Sequence, residues 1–383
     1  MARSASSRRR CPWPDLQPEL ICLVLLRLPS HADRVRLAPV CRAWRSSARL
    51  QHPLPPVLPW LALPDGTFLR LPDGAVHRLP VPDDVSSRVS TGDALFLVHG
   101  DGRCSLTTPS PTVTTPVALP QPAFWFRRNS RANHVLNSIH KTVVSDDLVA
   151  VLKSMGLYNV FVSTRGHGLP SWQRKWAPPS GSFTADITIF KGKLHVLTMK
   201  EELHVLDAGD QQTSMVPVVK TLCKLEYQRF DSFWTDRYTE WHYLVVSGNQ
   251  LLMVKRMINL VATDNGIKER THRPSNSPQK HRTGAICPRF EVFEAVNPSD
   301  GCGWWREVDT LMGRALFVSE GCSESLPASS GVQCGARTPR NPFLDSGVYN
   351  MRDRTVAPLS LEAATVPTVH YGQWSSTWIF PKT

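Results

Sequence analysis

Residues 186–256 contain two hairpins of the same construction, and that repetition limits the fold more than any other feature of the chain. The first begins with Asp186 to Phe190, turns at Lys191-Gly192-Lys193 and continues through Leu194 to Thr198. A further turn near Glu201 leads into Leu203 to Leu206, and Val216 to Leu225 supplies a last extended run, making four consecutive strands. The second hairpin runs from Tyr243 to Val246, turns at Ser247-Gly248-Asn249 and returns over Leu251 to Arg256, which places its turn glycine 56 residues after Gly192. Short apolar runs separated by glycine turns form antiparallel hairpins. Recurrence at roughly 50 residues is the spacing of four-stranded sheets arranged radially, one sheet per repeat.

The same punctuation starts early. Leu63-Pro64-Asp65-Gly66 and Leu71-Pro72-Asp73-Gly74 bracket Thr67 to Arg70, and Gly100-Asp101-Gly102 separates Ala94 to Val98 from Cys104 to Thr107. These spacings predict a mainly β fold over residues 54–381, an antiparallel β-propeller-like domain, following a small helical module at residues 13–50 and a disordered basic tail at residues 1–12. Trp172, Trp176, Trp241, Trp304 and Trp305 sit where wedge-shaped sheets need large apolar side chains, so core packing is their expected role. A final strand around Trp378 to Phe380 is expected to pair near the start of the domain, because closing a propeller removes exposed sheet edges. Residues 263–288 hold three prolines and no aromatic residue, and are expected to be a disordered insertion.

The stretch from Trp13 to Arg49 carries more apolar surface than a segment so short can hide within itself. A helix is expected from Pro18, whose missing N–H suits a first turn, through the apolar run Leu20 to Leu26. Leu28-Pro29 ends it. Ser30 and Asp33 form a capping pattern for a second helix carrying Val35, Leu37 and Ala38, and Pro39 is expected to open a third with Val40, Trp44 and Ala48 on one stripe. A run of that length is too short to cross a bilayer, which takes about 18 apolar residues or more, and Asp15, Pro18 and Glu19 sit where a secretory signal would be apolar or basic.

The pattern Leu16, Pro18-Glu19-Leu20, Leu28-Pro29 and Val40-Cys41-Arg42-Ala43-Trp44-Arg45 resembles an F-box of the form that opens many plant F-box proteins. Gln17 departs from it, standing where the family usually has proline. The segments Ile187 to Thr198, Tyr243 to Arg256, Trp304 to Val308, Leu316-Phe317-Val318, Gly347 to Met351 and Trp378 to Pro381 resemble the kelch-like, propeller-type domain of unknown function that follows the F-box in a family expanded in cereals. The chain departs from those relatives at Thr107 to Thr112 and between Ser319 and Arg340, a polar stretch hard to read as strand. The resemblance implies a three-helix hook docking on a Skp-family adaptor through Leu16, Pro18, Leu20, Leu28, Pro29, Val40, Cys41 and Trp44. Through that adaptor it implies a cullin, hence the substrate-recognition subunit of an SCF-type ubiquitin ligase. The alternative is a ligase-independent interaction module, such as a kinase-binding inhibitor.

Charge and chemistry agree with a non-enzymatic reading. The formal net charge of +12 is concentrated: residues 1–49 hold ten arginines against Asp15, Glu19 and Asp33, and residues 263–289 contribute a net +4. A nucleic-acid surface across the main domain is therefore not expected, and the first cluster suits steering toward an acidic partner. Nine scattered cysteines without a CxxC pair point to reduced thiols in the nucleus or cytosol, with no metal site and no cofactor. No phosphate-binding loop, nucleophile elbow or interpretable carboxylate pair is present, and His195 and His204, each alternating with apolar neighbours, are expected to face solvent. A protein substrate would meet loops that combine arginine with aromatic residues, foremost Arg229, Phe233 and Trp234.

Overall fold

The computed structural model describes residues 16–28, 36–37, 39–50, 58–63, 67–70, 75–78, 81–101, 103–108, 117–119, 139–146, 148–153, 159–164, 172–176, 182–206, 218–219, 238–263, 266–270, 289–298, 302–327, 347–350, 355–358 and 377–380. They fall into two compact units, one within Met1–Leu58 and one within Pro59–Ala328 and Cys334–Pro381.

In the first unit, α1 spans Pro18–Arg27 and α2 spans Arg42–Leu50. Pro18 occupies the first turn of α1, and the Gln17 carbonyl accepts from the N–H groups of Leu20 and Ile21 at 3.0 and 3.2 Å. The third expected helix starts later than Pro39, which lies with Val40 in a turn. Cys41 caps α2 instead: its carbonyl accepts from Arg45 N–H at 3.0 Å and its Sγ from Trp44 N–H at 3.4 Å. Of the second expected helix, Arg36 and Leu37 are described and are helical.

The second unit is built from antiparallel sheets in chain order. Strands β1 (Trp60–Ala62), β2 (Thr67–Arg70) and β3 (Val76–Arg78) make an antiparallel meander; β4 (Val85–Thr91), β5 (Ala94–His99), β6 (Cys104–Thr107) and β7 (Val117–Leu119) form the next sheet. A third follows from β8 (Ile139–Val144), β9 (Leu148–Lys153), β10 (Asn159–Thr164) and β11 (Trp172–Trp176). The fourth contains β12 (Thr184–Phe190), β13 (Lys193–Thr198) and β14 (Leu203–Leu206), joined by a two-residue turn in which Lys191 and Gly192 both take positive φ, 49° and 73°, as a twist-matched hairpin requires. Of the expected fourth strand, Val216 to Leu225, only Val218 and Val219 are described; Val219 makes isolated bridges to Leu203 and Gly303, and among the described residues the sheet has three strands.

The fifth sheet comprises β15 (Tyr238–Ser247), β16 (Gln250–Thr263), β17 (Gly266–Arg270), β18 (Arg289–Val296) and β19 (Trp304–Glu307), with β17 paired to the far end of β16. This corrects the expected disordered insertion for Thr263 and for residues 266–270: Asn259 to Thr263 of β16 are in register with Gly266 to Arg270, so the backbone groups there satisfy one another. Residues 271–288 lie outside the described residues. Last come β20 (Arg314–Phe317) with β21 (Glu324–Pro327), β22 (Gly347–Asn350) with β23 (Thr355–Pro358), and β24 (Thr377–Ile379). The presence of β20 and β21 also corrects the reading of the polar stretch after Ser319, where Glu324 to Pro327 pair with Arg314 to Phe317.

Strand β24 leaves the end of the chain to pair antiparallel with β1, placing Trp378 opposite Leu61. Among the described residues six strands, β24, β4, β8, β12, β15 and β21, stand side by side in succession, and the segment before β21 returns to β24. Ser319 binds it there: its Oγ meets Thr377 Oγ1 at 3.0 Å and accepts from Trp378 N–H at 3.3 Å, and Trp378 Nε1–H donates to Val318 O at 3.2 Å. Gly321 passes so close to Thr377 that an added Cβ would lie 2.6 Å from its Oγ1. The Gly92 carbonyl accepts from Phe380 N–H at 2.8 Å, tying the same segment to the end of β4.

Apolar layers fill the spaces between successive sheets. Phe68, Leu95, Leu97 and Ile379 pack between the first and second; Phe96, Val149 and Val151 between the second and third. Leu152, Val160, Ile187 and Val196 fill the next space, Leu197, Leu244, Met253 and Trp305 the one after, and Tyr243, Val254 and Val292 pack with Leu316 and Val318 in the last. Trp176 and Trp305 are core residues as expected, whereas Trp304 on outermost β19 is 49% exposed. His195 and His204 are buried, not solvent-facing, because β13 and β14 are covered on both faces by neighbouring sheets. His195 meets Phe190 edge-on at 5.6 Å, and His204 lies 5.3 Å from the Trp176 ring with neither imidazole nitrogen hydrogen-bonded.

Burial pushes the His204 imidazole down to about 4. With a folded-state value below the ordinary 6.5, His204 is neutral and harmless above that pH, and stability is lost progressively as pH falls from 6.5 toward 4, by on the order of 3 kcal/mol. His204→Phe should flatten that part of the profile. Urea unfolding at pH 7 and pH 4.5 measures it, and an equally steep loss in the variant would show that the acid sensitivity arises elsewhere.

Candidate functional site

Helix α1 is divided lengthwise. Ile21 and Leu25, four residues apart and therefore on one side, are fully buried and pack with Leu37 against half-buried Leu16, Leu28 and Trp44. The opposite side carries Leu20, Leu23 and Val24, which are 45%, 46% and 37% exposed, and Val40 in the turn before α2 is 61% exposed. Leu20, Leu23, Val24 and Arg27 follow the spacing i, i+3, i+4, i+7, so they form one stripe. Three neighbouring large apolar side chains left uncovered on a helix whose other side is already satisfied are what a docking surface presents.

Of the residues expected at an adaptor contact, Pro18, Leu20 and Val40 are exposed, whereas Leu16, Leu28 and Trp44 mainly hold α1 to α2 and Leu37. Cys41 is half-buried and caps α2, a structural duty. Pro29 lies outside the described residues, as do Arg229, Phe233 and Trp234. Leu23 and Val24 were absent from the expected set; their signal is the i+3 and i+4 spacing from Leu20.

The propeller holds two buried polar clusters. Asp186 on β12 receives Lys141 Nζ of β8 at 2.8 Å, with the two side chains 5% and 4% exposed, and accepts from the backbone N–H of Leu244 in β15 at 2.6 Å and of Ile187 at 2.7 Å. Burial pushes the Asp186 carboxyl upward, opposed by the Lys141 ammonium and both amides. One carboxylate thus pins three consecutive sheets.

The second cluster surrounds Glu201 in the β13–β14 turn, held at φ +62°. Its carboxylate meets Lys255 Nζ of β16 at 2.5 Å and lies 3.8 Å from His242 Nε2, and its carbonyl accepts from Trp305 Nε1–H at 2.7 Å. Burial alone would raise the Glu201 carboxyl, but His242 and the Lys255 ammonium outweigh it and the net direction is downward. Both clusters spend their charges on one another. Neither offers a nucleophile beside a base, and among the described residues no three His, Cys, Asp or Glu side chains converge as metal ligands would. Among the same residues no helix is long and apolar enough to cross a membrane.

The sequence model of the KIB1-4 beta-propeller family matches residues 68–337. No curated protein matches the chain. Solved structures with a similar course include the S. cerevisiae complex of Dbp5 with Nup159 and Gle1, at a TM-score of 0.32 and 11% identity over 67% of this chain and 65% of that one. The N-terminal domain of Nup159 gives 0.31 and 10% over the same shares. The β-propeller domain of Cps50 (Swd1) from Myceliophteria thermophila gives 0.29 and 12%, over 65% of this chain and 85% of that one. The chain thus spans just under two thirds of the first two, and likenesses this loose leave the family match as the informative one.

Proposed function

The chain belongs to the KIB1-4 beta-propeller family, and from that premise we propose that it is a non-catalytic recognition subunit whose helical unit docks on a Skp-family adaptor while its propeller holds a protein substrate. The adaptor would join it to a cullin ubiquitin ligase of the SCF type, in the nucleus or cytosol. The protein then contributes proximity, raising the effective concentration of substrate lysines near the conjugating machinery without taking part in the chemistry.

The observation that supports this reading is the stripe of Leu20, Leu23 and Val24, exposed on a helix whose other side is buried against Leu37 and Trp44. It falls within the Pro18-Glu19-Leu20 to Leu28-Pro29 pattern that resembles an F-box. Isothermal titration of the full chain with a purified Skp-family adaptor is the test. Micromolar or tighter binding is expected. Leu20→Asp with Leu23→Asp should weaken it at least about 30-fold, as loss of a central apolar anchor costs about 2 kcal/mol or more, and leave the melting of the propeller unchanged. No binding at tens of micromolar would contradict the adaptor reading and leave a ligase-independent interaction module.

We propose that substrate capture falls to the segment carrying Arg229, Phe233 and Trp234, a composition enriched at binding hot spots. Arg229→Ala with Trp234→Ala should reduce recovery of co-purifying proteins while adaptor affinity is preserved. Unchanged recovery with a lowered melting temperature would assign these residues to packing.

A further inference from the structure

We infer that the partner surface received by α1 is apolar at its centre and acidic around its rim, so that arginines of the helical unit set the rate of encounter while the leucine stripe sets the lifetime of the complex; this rests on the docking reading above. The exposed stripe of Leu20, Leu23 and Val24 ends in Arg27 on the same side of α1. Arg36 precedes the core residue Leu37 and is exposed, and exposed Arg42 and Arg45 lie three residues apart on α2. Among the described residues of this unit Glu19 is the sole carboxylate. An apolar patch on a unit whose exposed charges are mainly of one sign selects a partner of the opposite sign, since like charges brought together on docking are penalised.

The same charge distribution argues against two other occupants. A second copy meeting this patch across a two-fold axis would bring together two surfaces that are both mainly basic. A nucleic acid would place phosphates over Leu20 and Leu23, where contact is apolar and no hydrogen-bond donor is offered. A partner with acidic groups around an apolar groove satisfies both features.

Stopped-flow association of the full chain with a purified Skp-family adaptor, at 50 and 500 mM NaCl, tests the assignment. Rim charges act on the association rate and on its salt dependence. The expected result is an association rate about tenfold or more slower at high salt, with dissociation changed by less than about twofold. Arg27→Glu with Arg42→Glu should slow association at 50 mM about tenfold and flatten its salt dependence, with the melting curve of the full chain unaltered. Adaptor binding that is indifferent to salt and to this double variant would overturn the acidic rim while leaving adaptor docking standing. Absence of adaptor binding at either salt would overturn the docking reading and this inference with it. Concentration-dependent dimerisation, or binding to phosphatidylserine vesicles, that Leu20→Asp with Leu23→Asp abolishes would give the patch to a second copy or to a membrane and overturn the inference as well.

Discussion

A chain ending at Ser376 should melt about 10 °C or more below the full chain, because it loses β24 and with it the closure of the ring. Strand β24 pairs with β1 and is clasped from the other side by Ser319, whose Oγ contacts both Thr377 and Trp378. Trp378 and Phe380 are buried, and both meet the edge of Phe317 at 5.4 and 6.1 Å. Removing them exposes Phe317, Leu61 and Ile379's neighbours Phe68 and Leu97 to water, and leaves β1 as an unpaired edge. Trp378→Ala keeps the strand but deletes its largest side chain, an alteration of about 3–5 kcal/mol. For a domain of this size each kcal/mol shifts melting by about 2–4 °C. Unchanged melting in both variants would mean that the pairing of Trp378 with Leu61 contributes nothing to holding the ring.

Asp186→Ala is expected to destabilise the propeller by about 3–5 kcal/mol, the usual consequence of removing one partner from a buried ion pair. The substitution would strand the Lys141 ammonium at 4% exposure and leave the N–H groups of Leu244 and Ile187 without their acceptor. Lys141→Met should be milder than Asp186→Ala, since the two amides still engage the carboxylate. In the Lys141→Met, Asp186→Leu double variant no charge is left buried, so its loss should fall well below the sum of the singles. Chemical denaturation of the four proteins measures the coupling. Strict additivity would show that the 2.8 Å contact carries no interaction energy.

The local hairpins were legible because their turns are written in glycine: Gly192 and Gly248 fall where positive φ is needed, at 73° and 60°. The pairing of β24 with β1 was legible from topology, since an open propeller would expose an edge at each end. The strands β8 and β9 were not read from the sequence because no glycine marks the end of β8: the chain leaves it through Ser145 and Asp146, with the Ser145 N–H donating to the Leu148 carbonyl at 2.8 Å. The misreading of His195 and His204 has one cause. Alternation of polar and apolar residues signals a solvent face only in a sheet with one face free, and here both faces are covered.

The docking surface was legible in outline and blurred in detail. An apolar run from Leu20 to Leu26 announces a helix needing cover, but not which side the rest of the unit covers. That division is decided by Leu37 and Trp44, which take Ile21 and Leu25 and leave Leu20, Leu23 and Val24 outside. Cys41 looked like a contact residue for want of a signal for its capping role, which rests on a carbonyl and a sulfur accepting from Arg45 and Trp44. The Asp186 pin was invisible because Lys141 and Leu244 lie 45 and 58 residues away in the chain.

Hydrogen exchange of the full chain with and without a saturating Skp-family adaptor, resolved by peptide, tests the central claim most directly. The account predicts slowed exchange in residues 16–28 and 36–50, where α1 and α2 lie, and unchanged exchange in the propeller strands from β4 to β19. Slowed exchange confined to the propeller, or none anywhere despite saturation, would contradict it.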